Sequence, residues 1–177
     1  MNLSKKIEAI ANVATTVAAL LLVVVLVRGY LIPAPGTQRP QMAPPASVGT
    51  NLKSSIPGVD WTGNGRTLVL AISNQCHFCK ESEPFYRRLR EELGARVKIV
   101  AAMPQPVADA EQYLKSAGVE VDQVRQVTLS EIGVRGTPTM LLVDGSGRVT
   151  GIWTGRLQPA EEDQVLSSLR STTDKKG

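Results

Sequence analysis

Residues 73–80 organise this chain: they read Ser-Asn-Gln-Cys-His-Phe-Cys-Lys and contain both cysteines of the sequence, Cys76 and Cys79. The apolar run Thr67–Ile72 comes directly before them and predicts a buried strand. The stretch His77–Leu93 follows, and its apolar residues recur at helical spacing, which predicts one amphipathic helix. The sequence therefore places a Cys-x-x-Cys motif where a central strand ends and a helix begins.

The start of a helix favours reactive sulfur, because backbone N–H groups and the helix dipole stabilise a thiolate there. Cys76 would lie at the helix cap as the exposed nucleophile, and Cys79, one turn further along, would be the shielded resolving thiol. The competing interpretation is a structural disulfide. So short a loop would stabilise the fold by only about 2 kcal/mol in the chain-entropy model. Because structural bridges usually join distant segments, the spacing favours redox chemistry.

Other functions of these residues need groups that the chain lacks. Tetrahedral zinc needs four ligands, and Cys76, Cys79 and His77 are all the cysteines and histidines of the sequence. Covalent haem needs a histidine directly after the second cysteine, where Lys80 stands. The sequence therefore predicts neither a metal nor a cofactor. The net charge of +4 is spread along the chain without a basic block interleaved with aromatic residues, so nucleic acid is not an expected partner.

Two side chains between the cysteines are candidates for tuning the site. His77 lies next to Cys76, where an imidazolium would favour the thiolate and make the cysteine pair more oxidising. The alternative is that His77 is simply exposed. Phe78 either caps the apolar stripe of the helix or presents its ring to a substrate, and both interpretations stay open.

The first 28 residues differ from the rest of the chain and predict a membrane anchor. Lys5 and Lys6 precede the stretch Ala9–Val27, which is apolar apart from three polar residues, and about 20 apolar residues span a bilayer. The rival interpretation is a cleaved signal peptide, but no small-x-small cleavage site precedes Pro33. We therefore expect residues 1–28 to form a cytoplasmic tip and a single transmembrane helix. The remainder would then lie on the extracytoplasmic, periplasmic side.

The rest of the chain is predicted to form a linker, one folded domain and a tail. Residues 29–58 carry six of the eleven prolines, which is typical of a linker that does not fold alone. Residues 59–170 show strand and helix patterns in the order β-α-β-α-β-β-α. This order predicts an α/β domain in which a mixed sheet has helices on both faces. Residues 171–177 form a predicted flexible tail.

Residues 59–170 resemble the thioredoxin superfamily. The resemblance rests on the strand–Cys-x-x-Cys–helix unit, on Pro84, on the sequence Gly-Thr-Pro-Thr at 136–139, and on the final hairpin and helix. It implies that the bond before Pro138 is cis and that Pro138 packs beside the cysteines. It also implies that the backbone of Thr137 hydrogen-bonds extended substrate chains. The additional strand and helix between Val97 and Val127 resemble the membrane-anchored, exported TlpA/ResA-like branch more than thioredoxin itself.

The chain departs from the family pattern at three positions. Leu70 stands where thioredoxins keep a buried acid, and Gln75 stands where a tryptophan usually precedes the first cysteine. Ser82 replaces the glutamate that TlpA/ResA-like proteins keep three residues after the second cysteine. The usual proton acceptor for the resolving thiol is therefore missing. Glu81, Glu83 or water would have to substitute for it.

Together these observations predict an exported, membrane-tethered thiol–disulfide oxidoreductase with a thioredoxin-like fold. Cys76 and Cys79 would exchange disulfides with protein substrates and with a redox partner protein, and Thr137 and Pro138 would position the substrate. One alternative is a thioredoxin-fold binding or assembly module without turnover. The other is a thiol peroxidase, although Val69 stands where a peroxiredoxin has a proline. The direction of electron transfer stays open.

Overall fold

The computed structural model describes residues 3–30 and 44–171, which belong to two separate compact units. The first unit contains a single helix, α1, from Leu3 to Tyr30. It coincides with the stretch for which the sequence predicted a transmembrane anchor. Within the described residues, however, no helix is both long enough and apolar enough to cross a membrane, so this prediction is not confirmed. Residues 31–43 of the predicted linker and residues 172–177 of the predicted tail lie outside the described residues.

The second unit is an α/β domain, as the sequence predicted. Its helices and strands follow the predicted order with two additions, a short helix before the first strand and a third strand ahead of the final hairpin. Two 3-10 turns, Gly94–Arg96 and Leu129–Ile132, connect some of them. The elements are α2 (Trp61–Asn64), β1 (Arg66–Ala71), α3 (His77–Glu81), α4 (Glu83–Leu93), β2 (Lys98–Met103), α5 (Val107–Ser116), β3 (Gln123–Gln126), β4 (Thr139–Asp144), β5 (Val149–Thr154) and α6 (Pro159–Ser171).

The five strands form one mixed sheet in the order β3-β2-β1-β4-β5. β1 runs parallel to β2, and β2 runs parallel to β3, whereas β4 is antiparallel to both β1 and β5. In register, Leu68 of β1 lies opposite Ile99 of β2 and Leu142 of β4. β1 is therefore the central strand. The segment that follows β1 and carries both cysteines therefore starts at the end of the central strand.

Both faces of the sheet are buried, because the side chains of β1 alternate between two apolar clusters. Leu68 and Leu70 point into the first cluster, which the long helices α4, α5 and α6 cover. Val69 and Ala71 point into the second cluster. That face is covered by α2, by the second 3-10 turn and by the chain that precedes α2. Helices therefore lie on both faces, as predicted, although the three long helices share one of them.

The segment 44–58 is part of the domain, which corrects its assignment to the linker. Leu52 and Ile56 are 1% and 0% exposed and belong to the second apolar cluster. The Leu52 N–H donates to the carbonyl of Gly147 at 2.8 Å, and the Val149 N–H donates to the carbonyl of Thr50 at 2.9 Å. This segment covers a sheet face that would otherwise be exposed to water. Its proline-rich composition concealed that role, because the contacts are made by a few separate residues and follow no period.

The predicted helix His77–Leu93 is two helices, α3 and α4, which meet at Ser82. Pro84 lies in the first turn of α4 and has no N–H to donate to the preceding turn. The Ser82 N–H contacts the carbonyls of both Phe78 and Cys79, at 3.1 and 3.2 Å, and closes α3. α3 is consequently a short helix that carries the cysteine pair, and α4 is the longer amphipathic helix behind it.

Asp122 links helix α4 to strand β2. Its carboxylate accepts hydrogen bonds from the Ile99 N–H at 2.8 Å, from Arg90 at 2.5 Å and from Lys98 at 3.1 Å. Burial by itself would raise the pKa of Asp122, but these hydrogen bonds outweigh it and hold the pKa below its usual value. The ionised carboxylate is therefore the form that stabilises this part of the fold.

Candidate active site

Cys76 and Cys79 form a disulfide at the start of α3, with their Cα atoms 5.2 Å apart. Cys76 is the N-cap residue of α3, and its Sγ accepts a hydrogen bond from the Cys79 N–H at 3.1 Å. The side chain of Cys76 is partly exposed, whereas Cys79 is completely buried. A thiolate partner from solution therefore has access to the Cys76 sulfur and not to the Cys79 sulfur.

The loop between β1 and α3 is held by polar contacts that centre on Ser73. The Cys76 N–H donates to the Ser73 carbonyl at 3.1 Å, which closes a tight turn. The Ser73 Oγ accepts hydrogen bonds from the Gln75 N–H at 3.3 Å and from the side-chain amide of Gln105 at 2.9 Å. Because Gln105 follows β2, the loop is tied to the neighbouring strand, and the position of Cys76 is set by the sheet.

The loop before β4 approaches the cysteines, as the family resemblance implied. The Thr137–Pro138 peptide bond is cis, and the Thr137 carbonyl oxygen lies 3.3 Å from the Cys76 Sγ. Thr139 is buried, and its hydroxyl donates to the Gly136 carbonyl at 2.7 Å. The Pro138 carbonyl accepts from the Gly155 N–H at 2.7 Å. Residues that are 61 positions apart in sequence, Cys76 and Thr137, are thus in contact.

His77 and Phe78 both lie on the surface of α3. The imidazole Nε2 of His77 is 3.1 Å from the Glu81 carboxylate, one turn along the helix, and the side chain is 78% exposed. Phe78 is 55% exposed, and its ring meets that of His77 edge-on with centroids 5.6 Å apart. Phe78 therefore does not cap the apolar stripe, and its ring is available to a binding partner. That His77 tunes the reactivity of Cys76 stays a prediction, because an imidazolium at this position would interact with the Glu81 carboxylate as well as with the Cys76 sulfur.

The two glutamates that flank Ser82 are bound to other residues. Glu81 accepts a hydrogen bond from Arg156 at 3.0 Å, in addition to its contact with His77. Glu83 accepts from the Tyr113 hydroxyl at 2.9 Å. Both carboxylates therefore already accept hydrogen bonds or ion pairs from residues other than Cys79.

Ser82 and Tyr86 are the polar residues on the buried side of this helical region. Ser82 is 6% exposed, and its hydroxyl donates to the Phe78 carbonyl at 2.8 Å. Tyr86 is 2% exposed and belongs to the same apolar cluster as Cys79. Burial raises the pKa of Tyr86 well above its usual value, so the phenol stays neutral at physiological pH. Tyr86 was missed at the sequence level, although its spacing of four from Ser82 places both residues on one helix face.

The arrangement suits sulfur exchange, with one accessible and one shielded sulfur beside a backbone carbonyl. Among the described residues, no group of three or more His, Cys, Asp or Glu side chains is arranged to hold a metal ion. The groups that the structure brings together at the site are the two sulfurs and the backbone around them.

Comparison with known proteins places this geometry in a family. A family model for the thioredoxin-like domain matches residues 61–170. No curated protein sequence matches the chain.

Several solved structures share its fold. One is a Chlorobium tepidum protein assigned as the thiol:disulfide interchange protein DsbE, with a TM-score of 0.55 and 23% identity over 70% of this chain and 99% of that one. Another is a thiol:disulfide interchange protein from Bacteroides sp., with a TM-score of 0.52 and 16% identity over 76% and 91%. A third is a thiol-disulfide isomerase from Corynebacterium glutamicum, with a TM-score of 0.51 and 15% identity over 70% and 92%.

The likeness to these structures is one of fold. The family model covers more than half of the chain, including both cysteines and the loop around Pro138. The chain belongs to the thioredoxin-like domain family.

Proposed function

We propose that this protein is a thiol–disulfide oxidoreductase that exchanges disulfides with protein clients. The observation that carries the proposal is the asymmetry of the cysteine pair. Cys76 is partly exposed and its sulfur lies 3.3 Å from the Thr137 carbonyl oxygen, whereas Cys79 is completely buried. A bridge whose only task was to stabilise the fold would gain nothing from placing one sulfur at the surface beside a second loop.

The disulfide form can oxidise a client dithiol in two exchange steps. A client thiolate attacks the Cys76 sulfur, the bond to Cys79 breaks, and Cys79 leaves with the electron pair and takes up a proton. The second client thiol loses its proton and attacks the sulfur that is bound to Cys76. The client leaves with a disulfide, and the protein holds two thiols, so two electrons have moved from client to protein. The same steps in reverse reduce a client, and a redox partner protein restores the starting state.

Thr137 and Pro138 are proposed to position the client. The Thr137 carbonyl already contacts the reacting sulfur, and Pro138 is buried beneath it. An extended client segment that lay along this loop would bring its own sulfur in line with Cys76. The names of the Chlorobium, Bacteroides and Corynebacterium proteins of the same fold, which describe thiol–disulfide interchange or isomerisation, support the proposal.

Cysteine variants of the full chain test the proposal. We expect Cys79→Ser to accumulate mixed disulfides with client proteins, because Cys76 still reacts and nothing resolves the product. Cys76→Ser should form almost none, because the remaining thiol is buried. The adducts are counted on non-reducing gels and by mass spectrometry. If Cys76→Ser captured as much client as Cys79→Ser, the assignment of the nucleophile would be refuted.

A redox titration distinguishes an oxidoreductase from a binding module whose disulfide never turns over. The cysteine pair of an oxidoreductase should pass between its two states within the range of biological thiol potentials, about −120 to −270 mV for soluble thioredoxin-fold proteins. A pair that stayed oxidised throughout that range in glutathione and dithiothreitol buffers would support the binding module instead.

We also propose that the protein is exported and held at a membrane by its N-terminal segment. The support is the apolar sequence itself and the exposure, between 48% and 68%, of nine large apolar side chains on α1: Val13, Val17, Leu20, Leu21, Leu22, Val23, Val24, Val25 and Leu26. Fractionation tests this proposal. The full chain should remain with membranes after a carbonate wash, and a protease added outside the cell membrane should digest the domain. Recovery of the full chain in the soluble fraction would contradict it.

A further inference from the structure

An open cavity of about 500 Å³ lies next to the cysteine pair, between the loop after β1 and helix α5. It is lined by Asn74, Gln75, Asp109, Gln112, Tyr113 and Ser116. Gln75 directly precedes Cys76, so the cavity begins one residue away from the accessible sulfur. Both of its walls are fixed, since the loop is tied to Gln105 through Ser73 and α5 packs into the core through Ala110 and Leu114.

The lining offers hydrogen-bond acceptors and a negative charge. None of the six residues is a lysine or arginine, and Asp109 contributes a carboxylate. The side-chain oxygen of Asn74 is buried and has no hydrogen-bond partner among the described residues.

Tyr113 adds to this acceptor character. Its hydroxyl donates its only proton to Glu83 at 2.9 Å, which leaves the lone pairs of the phenol oxygen for another donor. Burial raises the pKa of Tyr113 well above its usual value, and the hydrogen bond to Glu83 adds to this rise, so the phenol stays protonated. Glu83 also places a second carboxylate behind the wall of the cavity.

We propose that this cavity receives a lysine or arginine side chain of the client, next to the client cysteine that reacts with Cys76. Ammonium and guanidinium groups carry several donors and no acceptor, which suits a lining whose one charged side chain is the Asp109 carboxylate and whose amide and phenol oxygens can accept. An aspartate or glutamate of the client would instead bring a like charge and more acceptors. This inference rests on the proposed oxidoreductase function and names its client class: proteins in which a basic residue lies beside the reactive cysteine.

Peptide kinetics test the proposal on the oxidised full-length protein. Three peptides each carry one cysteine, flanked by lysine, by glutamine or by glutamate. The rate constant for attack on the Cys76–Cys79 disulfide is measured for each. It is divided by the rate constant of the same peptide with hydroxyethyl disulfide, a small uncharged disulfide, which removes the effect of the flanking charge on the thiol itself. We expect the normalised constant of the lysine peptide to exceed that of the glutamate peptide by about tenfold, which corresponds to about 1.4 kcal/mol.

Charge variants then locate the preference. Asp109→Asn should reduce the preference for lysine several-fold, and Asp109→Lys should make the glutamate peptide the faster one, a gain that a misfolded protein would not show. Glu111→Gln is the matched control, because it removes the same charge from the same helix but lines a different cavity. It should leave the preference unchanged.

Three results would overturn the proposal. The first is a normalised rate that does not depend on the flanking residue, and the second is a preference that persists undiminished in Asp109→Asn. In both cases the peptides still open the Cys76–Cys79 disulfide, so only the cavity assignment is refuted. The third is a wild-type protein whose disulfide reacts with none of the peptides and whose reduced form does not react with hydroxyethyl disulfide. That result removes the oxidoreductase function, and the client class falls with it.

Discussion

Truncating the side chain of Leu52 should destabilise the whole domain, although this residue precedes the first sheet strand and lies in a proline-rich stretch. Leu52 is 1% exposed and belongs to the apolar cluster on the sheet face away from the long helices. Replacing a buried leucine by alanine typically costs about 2–5 kcal/mol, of which the upper part comes from a cavity that cannot close. The segment 44–58 crosses this face as a single layer and can relax inward, so we expect about 3 kcal/mol for Leu52→Ala.

That loss is large compared with the stability of a domain, which is about 5–15 kcal/mol. For a domain of this size, each kcal/mol shifts the midpoint of thermal unfolding by roughly 3–5 °C, so Leu52→Ala should lower Tm by about 10 °C. Urea unfolding followed by circular dichroism gives the free energy of unfolding, and calorimetry gives Tm. Both are measured on the full chain.

Val48→Ala is the matched control, because Val48 lies in the same segment and is 69% exposed. It should change the free energy of unfolding by less than about 0.5 kcal/mol. A chain that starts at residue 59 should fail to fold, because it lacks Leu52 and Ile56 and leaves one sheet face uncovered. If Leu52→Ala and Val48→Ala were equally stable, or if the shortened chain unfolded at the wild-type temperature, the assignment of this segment to the core would be refuted.

Three further predictions concern single side chains. Because the pKa of Asp122 is lowered in the folded state, its contribution to stability is present above the unfolded pKa of about 3.9 and is lost as pH falls through the folded value. The urea midpoint of unfolding should fall as the pH is lowered from 7 to 2, and this fall should be smaller in Asp122→Asn than in the wild type. An equal fall in both proteins would contradict the prediction. His77 is exposed and bonded to Glu81, so His77→Gln should shift the reduction potential by less than about 30 mV, a tenfold change in the equilibrium constant. A larger shift in the glutathione titration would establish the tuning role. Thr139→Val keeps the shape of the side chain but removes its hydrogen bond in the loop before β4, so unfolding in urea should show a loss of about 1 kcal/mol. Equal stability would mean that this bond does not hold the loop.

The strands and most helices could be predicted because their signals are periodic and local. The run Thr67–Ile72 is apolar after its first residue, since β1 is buried on both faces. The division of the long helix at Ser82 was not predicted, although Pro84 was noted. A proline in the first turn of a helix and a proline that interrupts one look alike in sequence.

The site was predictable where a motif carries it and unpredictable where the fold assembles it. The resemblance to the thioredoxin superfamily includes both the Cys-x-x-Cys and the Gly-Thr-Pro-Thr sequences. It therefore predicted that Cys76 and the loop of Thr137 lie close together, and the structure brings them together. The cavity beside Cys76 has no such motif. Asn74 and Asp109 come from different loops and helices, and only the parallel arrangement of β1 and β2 places the start of α5 beside the cysteine loop.

The chemistry available to Cys79 follows from its neighbours. When Cys79 resolves a mixed disulfide, it must first lose its proton inside the core, where it is 0% exposed. The polar groups on its side of the helical region are the hydroxyls of Ser82 and Tyr86, and the raised pKa keeps the Tyr86 phenol protonated, so it can donate a proton but not accept one at neutral pH. Resolution of a mixed disulfide by Cys79 is the reverse of client attack on the Cys76–Cys79 disulfide, so both directions pass through the same buried Cys79 thiolate. The surroundings of Cys79 therefore change the rate of exchange in both directions together, and the reduction potentials of the protein and its client set the direction of electron transfer.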